Sequence, residues 1–317
     1  MSIVRVTDPT AASDSIEVLD QDVVNLDPER FEIKRVTVPL AECCLIYHRS
    51  SAAVRSLTRI HEDFEACNIL GPQARGSIDG MELQSFALIA AGPGTQAEII
   101  VDCDYESIAL LAPPRVLNEH LTLRGIKAEF DFPEAIEVWH PATEIGQDLF
   151  ELGVRIADAA EHAPETFNDS RWARYGAQVE FLDSLFATIE SCDPAGAVDT
   201  DKKGKSYSQI VQSCEDYTLG LDGRRPYLSE LCATANVSER TLQYAFQDIM
   251  GMSPLTYLHR LRLHRARDEL RKAKIGSTTI TDVAMNWGFW HFGEFSRAYK
   301  NCFGEVPSST LKQNSGD

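Results

Sequence analysis

Three polar side chains on one predicted helix have the chemistry needed to read the edges of nucleic-acid bases. Gln243 and Tyr244 follow Arg240 by three and four residues, so the three side chains lie on one helical face. Arg pairs with guanine and Gln with adenine in the major groove, and each good bidentate pair discriminates by about 1–3 kcal/mol. The opposite face is predicted to be buried and consists of Leu242, Ala245, Phe246 and Ile249.

A second predicted helix presents a comparable outward set near the end of the chain. Its members are Phe292, Gly293, Glu294, Arg297 and Lys300. Arg297 and Lys300 are expected to contact the groove and the phosphates. Phe292 and Gly293 are expected to touch thymine methyl groups or to let the backbone approach closely. The buried stripe of this helix is predicted to consist of Phe289, Phe295, Tyr299 and Phe303.

Each of these two helices, called the reading helices below, is expected to follow a shorter apolar helix and a tight turn, within residues 228–246 and 280–303. Asn236 is expected at the first turn because Asn tolerates the left-handed conformation, and Ser238 is expected to cap the next helix. Gly288 is expected at the second turn, where a positive φ favours glycine. This is the geometry of a helix-turn-helix, whose second helix enters the major groove.

A long helix is predicted between the two motifs, with Ser253 as N-cap and Pro254 as its first residue. From Pro254 to Ala273 it has 20 residues, which gives a rod of about 30 Å. That length is close to the groove repeat of about 34 Å along one face of B-DNA. The long helix is therefore expected to hold the two base-reading helices one turn of DNA apart. Six residues are expected to place positive charge around it: Arg260, Arg262, Arg265, Arg267, Arg271 and Lys272.

Residues from about 207 to 311 resemble the DNA-binding domain of the AraC/XylS transcription regulators. The resemblance rests on Gly251-x-Ser253-Pro254-x-x-Tyr257-Leu258, Arg262-Leu263-x-x-Ala266-x-x-x-Leu270, Trp287-Gly288-Phe289 and Phe295-Ser296-Arg297-x-Tyr299-Lys300-x-x-Phe303-Gly304-x-x-Pro307-Ser308. It implies a sequence-specific DNA-binding transcription factor and places base contacts on Arg240, Gln243, Tyr244, Phe292, Gly293, Glu294 and Arg297. It also implies double-stranded promoter DNA, RNA polymerase and a second copy of the chain as partners. Two positions depart from the family pattern, Tyr227 at a cap and Phe292 at a base-reading position.

The formal charge of −18 over 317 residues is distributed unevenly. From Lys205 onward the chain has 14 Lys and Arg against 12 Asp and Glu, a net charge of about +2. Residues 1–204 have 16 and 36, a net charge of −20. Phosphates repel an acidic surface, so the first half is expected to have a role other than lying on DNA.

The first half contains short apolar or alternating runs that are typical of strands. These runs are 31–38, 44–47, 66–69, 81–90, 96–101 and 107–111. Several short strands at this spacing predict a β-sandwich or β-barrel. A short helix is predicted from Pro114 through Leu121, and apolar stripes from Thr143 to Ser191 predict further helices.

The expected fold is α+β: an N-terminal β-barrel or cupin-like sensor domain with a helical dimerisation segment, then a C-terminal all-α double helix-turn-helix domain. The sensing and dimerising roles are implied by the resemblance. The expected boundaries are 1–192 for the sensor and dimerisation domain, 193–206 for a linker, 207–311 for the DNA-binding domain and 312–317 for a tail.

Two hypotheses remain open for the first half: a barrel that holds a small effector, or a protein-interaction module without a small ligand. Charged groups inside a barrel would select an effector. The sequence does not decide which of these side chains point inward: His48, Arg49, Arg55, Arg59, His61 and Arg75. Activation and repression are likewise not distinguished, because both use the same DNA contacts.

An enzyme is not expected. No His-x-His pair, Gly-x-Ser-x-Gly elbow or Walker loop occurs in the sequence, so neither a metal site nor a cofactor is expected. The eight Cys include no Cys-x-x-Cys spacing, and reduced thiols in the cytoplasm of a bacterium are expected. No secretory or transmembrane segment is evident in the sequence, so a cytoplasmic location without a membrane partner is expected. The expected DNA binding implies association with the bacterial nucleoid.

Overall fold

A computed structural model describes residues 2–8, 11, 19–27, 31–126, 132–192, 202–274 and 276–313. The chain divides into two compact units, Met1–Val23 with Phe31–Asp201, and Val24–Arg30 with Lys202–Asp317. The greater part of the predicted linker, 193–201, lies outside the described residues, as does 314–317 of the predicted tail.

The first unit contains two antiparallel sheets. The seven-stranded sheet has the order β1 (Ser2–Val6), β3 (Ile33–Pro39), β4 (Cys44–Ser50), β11 (Tyr105–Ala112), β6 (Glu65–Leu70), β9 (Leu88–Ala91) and β12 (Glu137–Trp139). The five-stranded sheet has the order β2 (Leu19–Asn25), β5 (Val54–Ile60), β10 (Gln96–Val101), β7 (Gly76–Ile78) and β8 (Met81–Glu82). Among the described strands no backbone pairing joins the two sheets, so the predicted cupin-like barrel is an unclosed pair of sheets.

Five of the predicted strands are confirmed, and one prediction is wrong. The run 81–90 is not one strand, because β8 ends at Glu82 and β9 begins only at Leu88. Phe86 between them has φ of 60°, a left-handed conformation that no strand residue adopts. The two strands that result belong to different sheets.

The two faces of β3 show how the seven-stranded sheet is used. Val36 and Val38 belong to a core shared with the helices, and Lys34 forms an ion pair with Glu161 at 2.6 Å. Arg35 lies on the opposite face, with Ile33, and lines a cavity. Successive strand residues point to opposite faces, so this alternation sends one set to the helices and the other set inward.

The helices of the first unit cover the outer face of this sheet. They are α1 (Pro114–Leu123), α2 (Thr143–His162), α3 (Pro164–Asp169) and α4 (Arg171–Glu190), which confirms the helical prediction for this region. α2 packs against β3, β4, β6 and β11. Gly153 permits this approach, because a Cβ there would lie 2.6 Å from Cγ2 of Ile108.

The second unit contains the remaining described helices. They are α5 (Lys202–Leu219), α6 (Leu228–Thr234), α7 (Glu239–Met250), α8 (Pro254–Lys272), α9 (Ile280–Asn286), α10 (Phe292–Phe303) and α11 (Pro307–Gln313). α8 contacts α5, α7, α9, α10 and α11 and is therefore the central helix of the unit. Within the ranges given above, no helix has the length and apolar character needed to cross a bilayer.

Two Gly to Ala substitutions on helices of the first unit test the packing of α2. Gly153→Ala is expected to lower the free energy of unfolding by about 1–3 kcal/mol, because the added methyl overlaps Ile108 in a packed core. Gly176→Ala on α4 is the control, since its Cβ would meet nothing within 4 Å; a helix interior gains up to about 1 kcal/mol from this change. Urea unfolding of both variants measures the difference. Equal effects would show that α2 does not depend on the close approach.

Candidate functional site

The first helix-turn-helix is formed by α6, a turn and α7. Asn236 in the turn has φ of 52°, as expected for its left-handed position. The Ser238 hydroxyl accepts a hydrogen bond from the Thr241 backbone N–H at 3.2 Å, which confirms the predicted cap. Leu242 and Phe246 are fully buried on the inner face of α7. Turn, cap and core thus fix the direction in which the outer face of α7 points.

The predicted base-reading residues of α7 lie on its outer side. Arg240 is exposed, Gln243 is half-buried and Tyr244 is exposed. The Arg240 guanidinium donates to the Tyr244 hydroxyl at 3.2 Å and lies 5.4 Å from the centre of its ring. This contact pre-orients two of the three predicted readers one helical turn apart.

The departure at Tyr227 is compensated by a neighbouring carboxylate. The Tyr227 side chain makes no capping hydrogen bond to α6. The Glu230 carboxylate instead accepts the Tyr227 backbone N–H at 2.9 Å and holds the Arg224 guanidinium at 2.8 Å. The hydrogen bond from Tyr227 is the main cause that lowers the pKa of Glu230, with Arg224 adding to it.

The second helix-turn-helix is formed by α9, a turn and α10. Thr279 and Asp282 make a reciprocal capping box, with hydrogen bonds of 3.1 and 3.2 Å between side chains and backbone N–H groups. Gly288 has φ of +74°, and a Cβ there would lie 2.9 Å from the backbone carbon of Arg224. The turn therefore requires glycine both for its conformation and for its space.

The predicted outward residues of α10 are exposed and its predicted inner stripe is covered. Phe292, Gly293, Glu294, Arg297 and Lys300 are all exposed. Phe295 and Tyr299 are buried. The rings of successive members of the set Phe289, Phe295, Tyr299 and Phe303 contact one another in tilted or edge-to-face arrangements, with centres 4.7–5.6 Å apart. The reading roles of these residues and of those on α7 stay predictions.

Two charged side chains of the long helix α8 are buried, contrary to the prediction. It begins at Pro254 as predicted, with Ser253 as N-cap, and it ends at Lys272, with Ala273 as the C-cap. The prediction that six basic residues place positive charge around this helix is wrong for two of them, since Arg262 and Arg267 are each 5% exposed. α8 is surrounded by five other helices, so its polar side chains also enter the core.

The buried Arg262 supports the turn of the second motif. Its guanidinium donates to the Trp287 carbonyl at 3.1 Å and lies 5.0 Å from the centre of the Phe289 ring. Burial is the main cause that lowers its pKa to about 10. Nearby, the Glu269 carboxylate accepts the Trp287 indole N–H at 2.7 Å. Two residues of α8 thus hold the segment on which the direction of α10 depends.

The buried Arg267 connects α8 to the other end of α10. It forms an ion pair with Glu305 at 2.8 Å and donates to the Tyr299 hydroxyl at 3.3 Å. Its guanidinium lies 4.6 Å from the centre of the Phe303 ring. The sequence marks this residue only as one of five Arg on a long helix, and no spacing rule identifies the Glu305 pairing.

A second candidate site is the cavity of about 130 Å³ inside the first unit. Most of its lining is aliphatic and comes from both sheets. Of the six charged or titratable groups considered from sequence, only His48 lines it, together with Arg35, which the sequence analysis overlooked. The signal for Arg35 was its place on β3, two residues from Ile33 and therefore on the same face. Among the described residues, no cluster of three His, Cys, Asp or Glu has the arrangement of a metal site.

Arg35 donates hydrogen bonds to two side chains at the cavity wall, His48 and Gln21. Its Nε donates to Nδ1 of His48 at 3.3 Å, and another guanidinium N–H donates to the side-chain amide oxygen Oε1 of Gln21. Burial, with Arg35 beside it, lowers the pKa of His48 to about 3, so this imidazole is neutral. Burial lowers the pKa of Arg35 to about 10, so its guanidinium remains charged at neutral pH.

Comparison with known proteins supports the helix-turn-helix assignment. A family model described as a helix-turn-helix domain matches residues 231–313. The probable thc operon regulatory protein of Rhodococcus erythropolis is 36% identical over 104 residues, which are 32% of this chain and 31% of that protein. The XylDLEGF operon transcriptional activator 3 of Pseudomonas putida is 31% identical over 234 residues, 71% of this chain and 65% of that protein.

A solved structure matches about a third of this chain. A probable AraC family transcriptional regulator from Rhodopseudomonas palustris is 34% identical, with a TM-score of 0.30, over 33% of this chain and 96% of that one. The alignments with the first curated relatives span about a third of the length of those proteins, 31% and 34%.

The buried ion pair of Arg267 gives a testable difference in stability. Glu305→Ala is expected to lower the free energy of unfolding by about 3–5 kcal/mol, because it takes a carboxylate from a buried guanidinium. Asp268→Ala is the control on α8: it removes an exposed pair with Lys272 at 2.8 Å, which contributes at most about 1 kcal/mol. Chemical unfolding monitored by tryptophan fluorescence measures both. Similar losses would refute the anchoring role of the Arg267–Glu305 pair.

Proposed function

We propose that this chain, a member of the AraC/XylS family of transcriptional regulators, binds promoter DNA specifically and regulates transcription. In this proposal α7 and α10 enter the major groove. The base-reading residues are Arg240, Gln243, Tyr244, Phe292, Gly293, Glu294 and Arg297, with Lys300 at a phosphate.

One observation carries the DNA-binding proposal. In both motifs the second helix has a fully buried apolar face, and the predicted readers occupy the side turned to solvent. Arg, Gln and Tyr side chains that reach solvent from a helix held by a capped turn are what base-edge recognition requires. The half-buried Gln243 has only part of its side chain available, so Arg240 is the stronger reader on α7.

The length of α8 supports reading of two successive grooves. Its 19 residues correspond to about 28 Å at ~1.5 Å per residue. This is shorter than the roughly 34 Å groove repeat of DNA by only about one turn of an α-helix. Both reading helices pack on α8, so a single domain can present them to one face of the duplex.

For the first unit we propose sensing of a small effector, in a protein that dimerises and contacts RNA polymerase at the promoter in the bacterial cytoplasm. The cavity favours sensing over a module that only contacts proteins, because ligand sites are concave, mostly apolar and equipped with a few convergent polar groups. The excess of acidic residues in 1–204 is consistent with a unit that stays off the DNA.

Substitution of one reader in each motif tests paired readout. Arg240→Ala and Arg297→Ala are each expected to weaken operator binding by about 1–3 kcal/mol, roughly 5- to 150-fold, with relaxed preference at one base pair each. The two affected base pairs are expected about one helical turn apart. Selection of binding sites from random DNA, followed by titration of the selected operator, measures both quantities.

Arg155→Ala is the matched control, since Arg155 is an exposed Arg on α2 of the first unit. Its affinity for the operator is expected to remain unchanged. Footprints limited to a single groove per subunit, or an Arg297→Ala variant with wild-type preference, would contradict paired readout. A chain that prefers no operator over random DNA would contradict the proposed function itself.

A further inference from the structure

The second reading helix presents a carboxylate on the surface proposed to face DNA. Glu294 lies in the first turn of α10 and is exposed. Within the part of the chain that the structure describes, its carboxylate makes no hydrogen bond and no ion pair. Arg297 follows by three residues, the spacing at which opposite charges often pair on a helix, yet no ion pair joins these two side chains. Both charged groups are therefore available to an outside partner.

The position of Glu294 on α10 is one from which a side chain reaches base edges. In a helix-turn-helix, residues near the N-terminus of the second helix contact the bases. Gly293 and Glu294 precede Arg297 by four and three residues, so the three lie on one side of the helix. Phe295 and Tyr299 are buried on the opposite side and fix this orientation.

Gly293 leaves open space beside Glu294. A Cβ added at Gly293 would meet nothing within 4 Å, and its backbone does not have a positive φ. Glycine is a poorer helix former than alanine. The fold of α10 therefore does not require glycine here, in contrast to Gly288, whose φ and surroundings both do. A glycine on an exposed helical face does allow the backbone to approach a partner closely.

The chemistry of a carboxylate restricts which base it can recognise. An ionised carboxylate only accepts hydrogen bonds, so its partner must offer a donor. In the major groove guanine offers acceptors at N7 and O6, and thymine offers an acceptor at O4, so only the amino groups of adenine and cytosine remain. Adenine N6 lies between two acceptors, its own N7 and O4 of the paired thymine. Cytosine N4 has an acceptor on one side only, O6 of the paired guanine, and is therefore the better partner.

The two charged readers of α10 are spaced for neighbouring base pairs. From Glu294 to Arg297 the helix rises by about 4.5 Å, which is three residues at ~1.5 Å each. Successive base pairs of B-DNA are separated by about 3.4 Å. Arg pairs most often with guanine, through O6 and N7. The spacing therefore suits a cytosine and a guanine within about two base pairs of each other.

We infer that α10 approaches the base edges with its backbone at Gly293 and reads a cytosine, whose N4 amino group donates to the Glu294 carboxylate, while Arg297 reads a nearby guanine. This inference rests on the proposed DNA-binding function and names the bases that the second motif recognises. The same carboxylate is repelled by phosphates and by the acceptor-bearing edges of other bases, so it weakens binding to DNA without this cytosine. Glu294 is thus a specificity-determining residue.

Selection of binding sites from random duplex DNA by the full-length chain tests the base assignment. Wild type is expected to enrich one cytosine that Glu294→Gln replaces by adenine, because Gln pairs with adenine. Glu294→Gln is also expected to bind random DNA at least as tightly as wild type, since a repulsive charge is removed. Glu144→Gln is the matched control, because Glu144 is an exposed Glu in the first turn of α2 in the first unit. Identical selected sites for wild type and Glu294→Gln would overturn the inference.

Removal of one amino group from the DNA tests the contact itself. The selected cytosine is replaced by deoxyzebularine, a cytosine analogue without the N4 amino group. Wild type is expected to lose at least about fivefold in affinity, the lower end of what one base contact contributes. Glu294→Ala is expected to lose less than about twofold, because the partner of the amino group is already absent. Equal losses for the two proteins, or none for wild type, would overturn the contact.

Gly293→Ala tests the close approach, with opposite expected effects on folding and on binding. The variant is expected to unfold at the same or a higher urea concentration than wild type, because alanine is the better helix former and its methyl meets open space. Operator binding is expected to weaken by at least about fivefold, as for the loss of one base contact. Unchanged affinity for the operator would contradict the approach at Gly293.

The selection experiment separates this inference from the proposed function. A chain that enriches no operator from random DNA contradicts the proposed function. An enriched operator in which no cytosine depends on Glu294 overturns this inference alone, and sequence-specific binding through the other readers then stands.

Discussion

The position of the second reading helix depends on two guanidinium groups buried in the helical unit. Arg262 holds the Trp287 carbonyl beside the glycine turn, and Arg267 holds Glu305 just beyond the end of α10. A buried charge that loses its partners costs several kcal/mol, so α10 is constrained at both ends with respect to α8. The exposed face of α10 is thus set by contacts that no DNA-facing residue makes.

The surface of the proposed DNA interface was predictable because its two helices lie at the edge of the unit. Each helix has one buried face, so apolar residues that recur every three or four positions identify it. On α7 this spacing assigns Leu242 and Phe246 to the buried face and Arg240 to the exposed one, and on α10 it assigns Phe295 and Tyr299 to the buried face and Arg297 to the exposed one. The same counting fails on α8, which other helices surround. There the stripe of Leu263, Ala266 and Leu270 is only part of the buried surface, and periodicity does not show that neighbouring Arg residues are buried as well.

The first unit shows a similar limit. Alternation of apolar and polar residues located most of the described long strands. In the seven-stranded sheet, however, helices cover one face and the second sheet covers the other, and alternation does not show which residues face the helices. Lys34 and Arg35 lie on opposite faces of β3, each beside apolar residues, so alternation does not show which of the two charges is turned inward. The break at Phe86 was not predictable, because its left-handed conformation follows from the transfer of the chain between the sheets.

The buried arginines of the two units differ in what surrounds them, and this difference carries meaning. Arg267 has a carboxylate from its own unit at 2.8 Å, and Arg262 has backbone carbonyls, so both complete a packed core. Arg35 instead donates hydrogen bonds to Gln21 and His48 at the wall of the cavity in the first unit. A core that needs only stability is served as well by an apolar side chain in place of a buried charge. The guanidinium groups of the second unit are thus part of a packed core, whereas that of Arg35 lies beside an open volume.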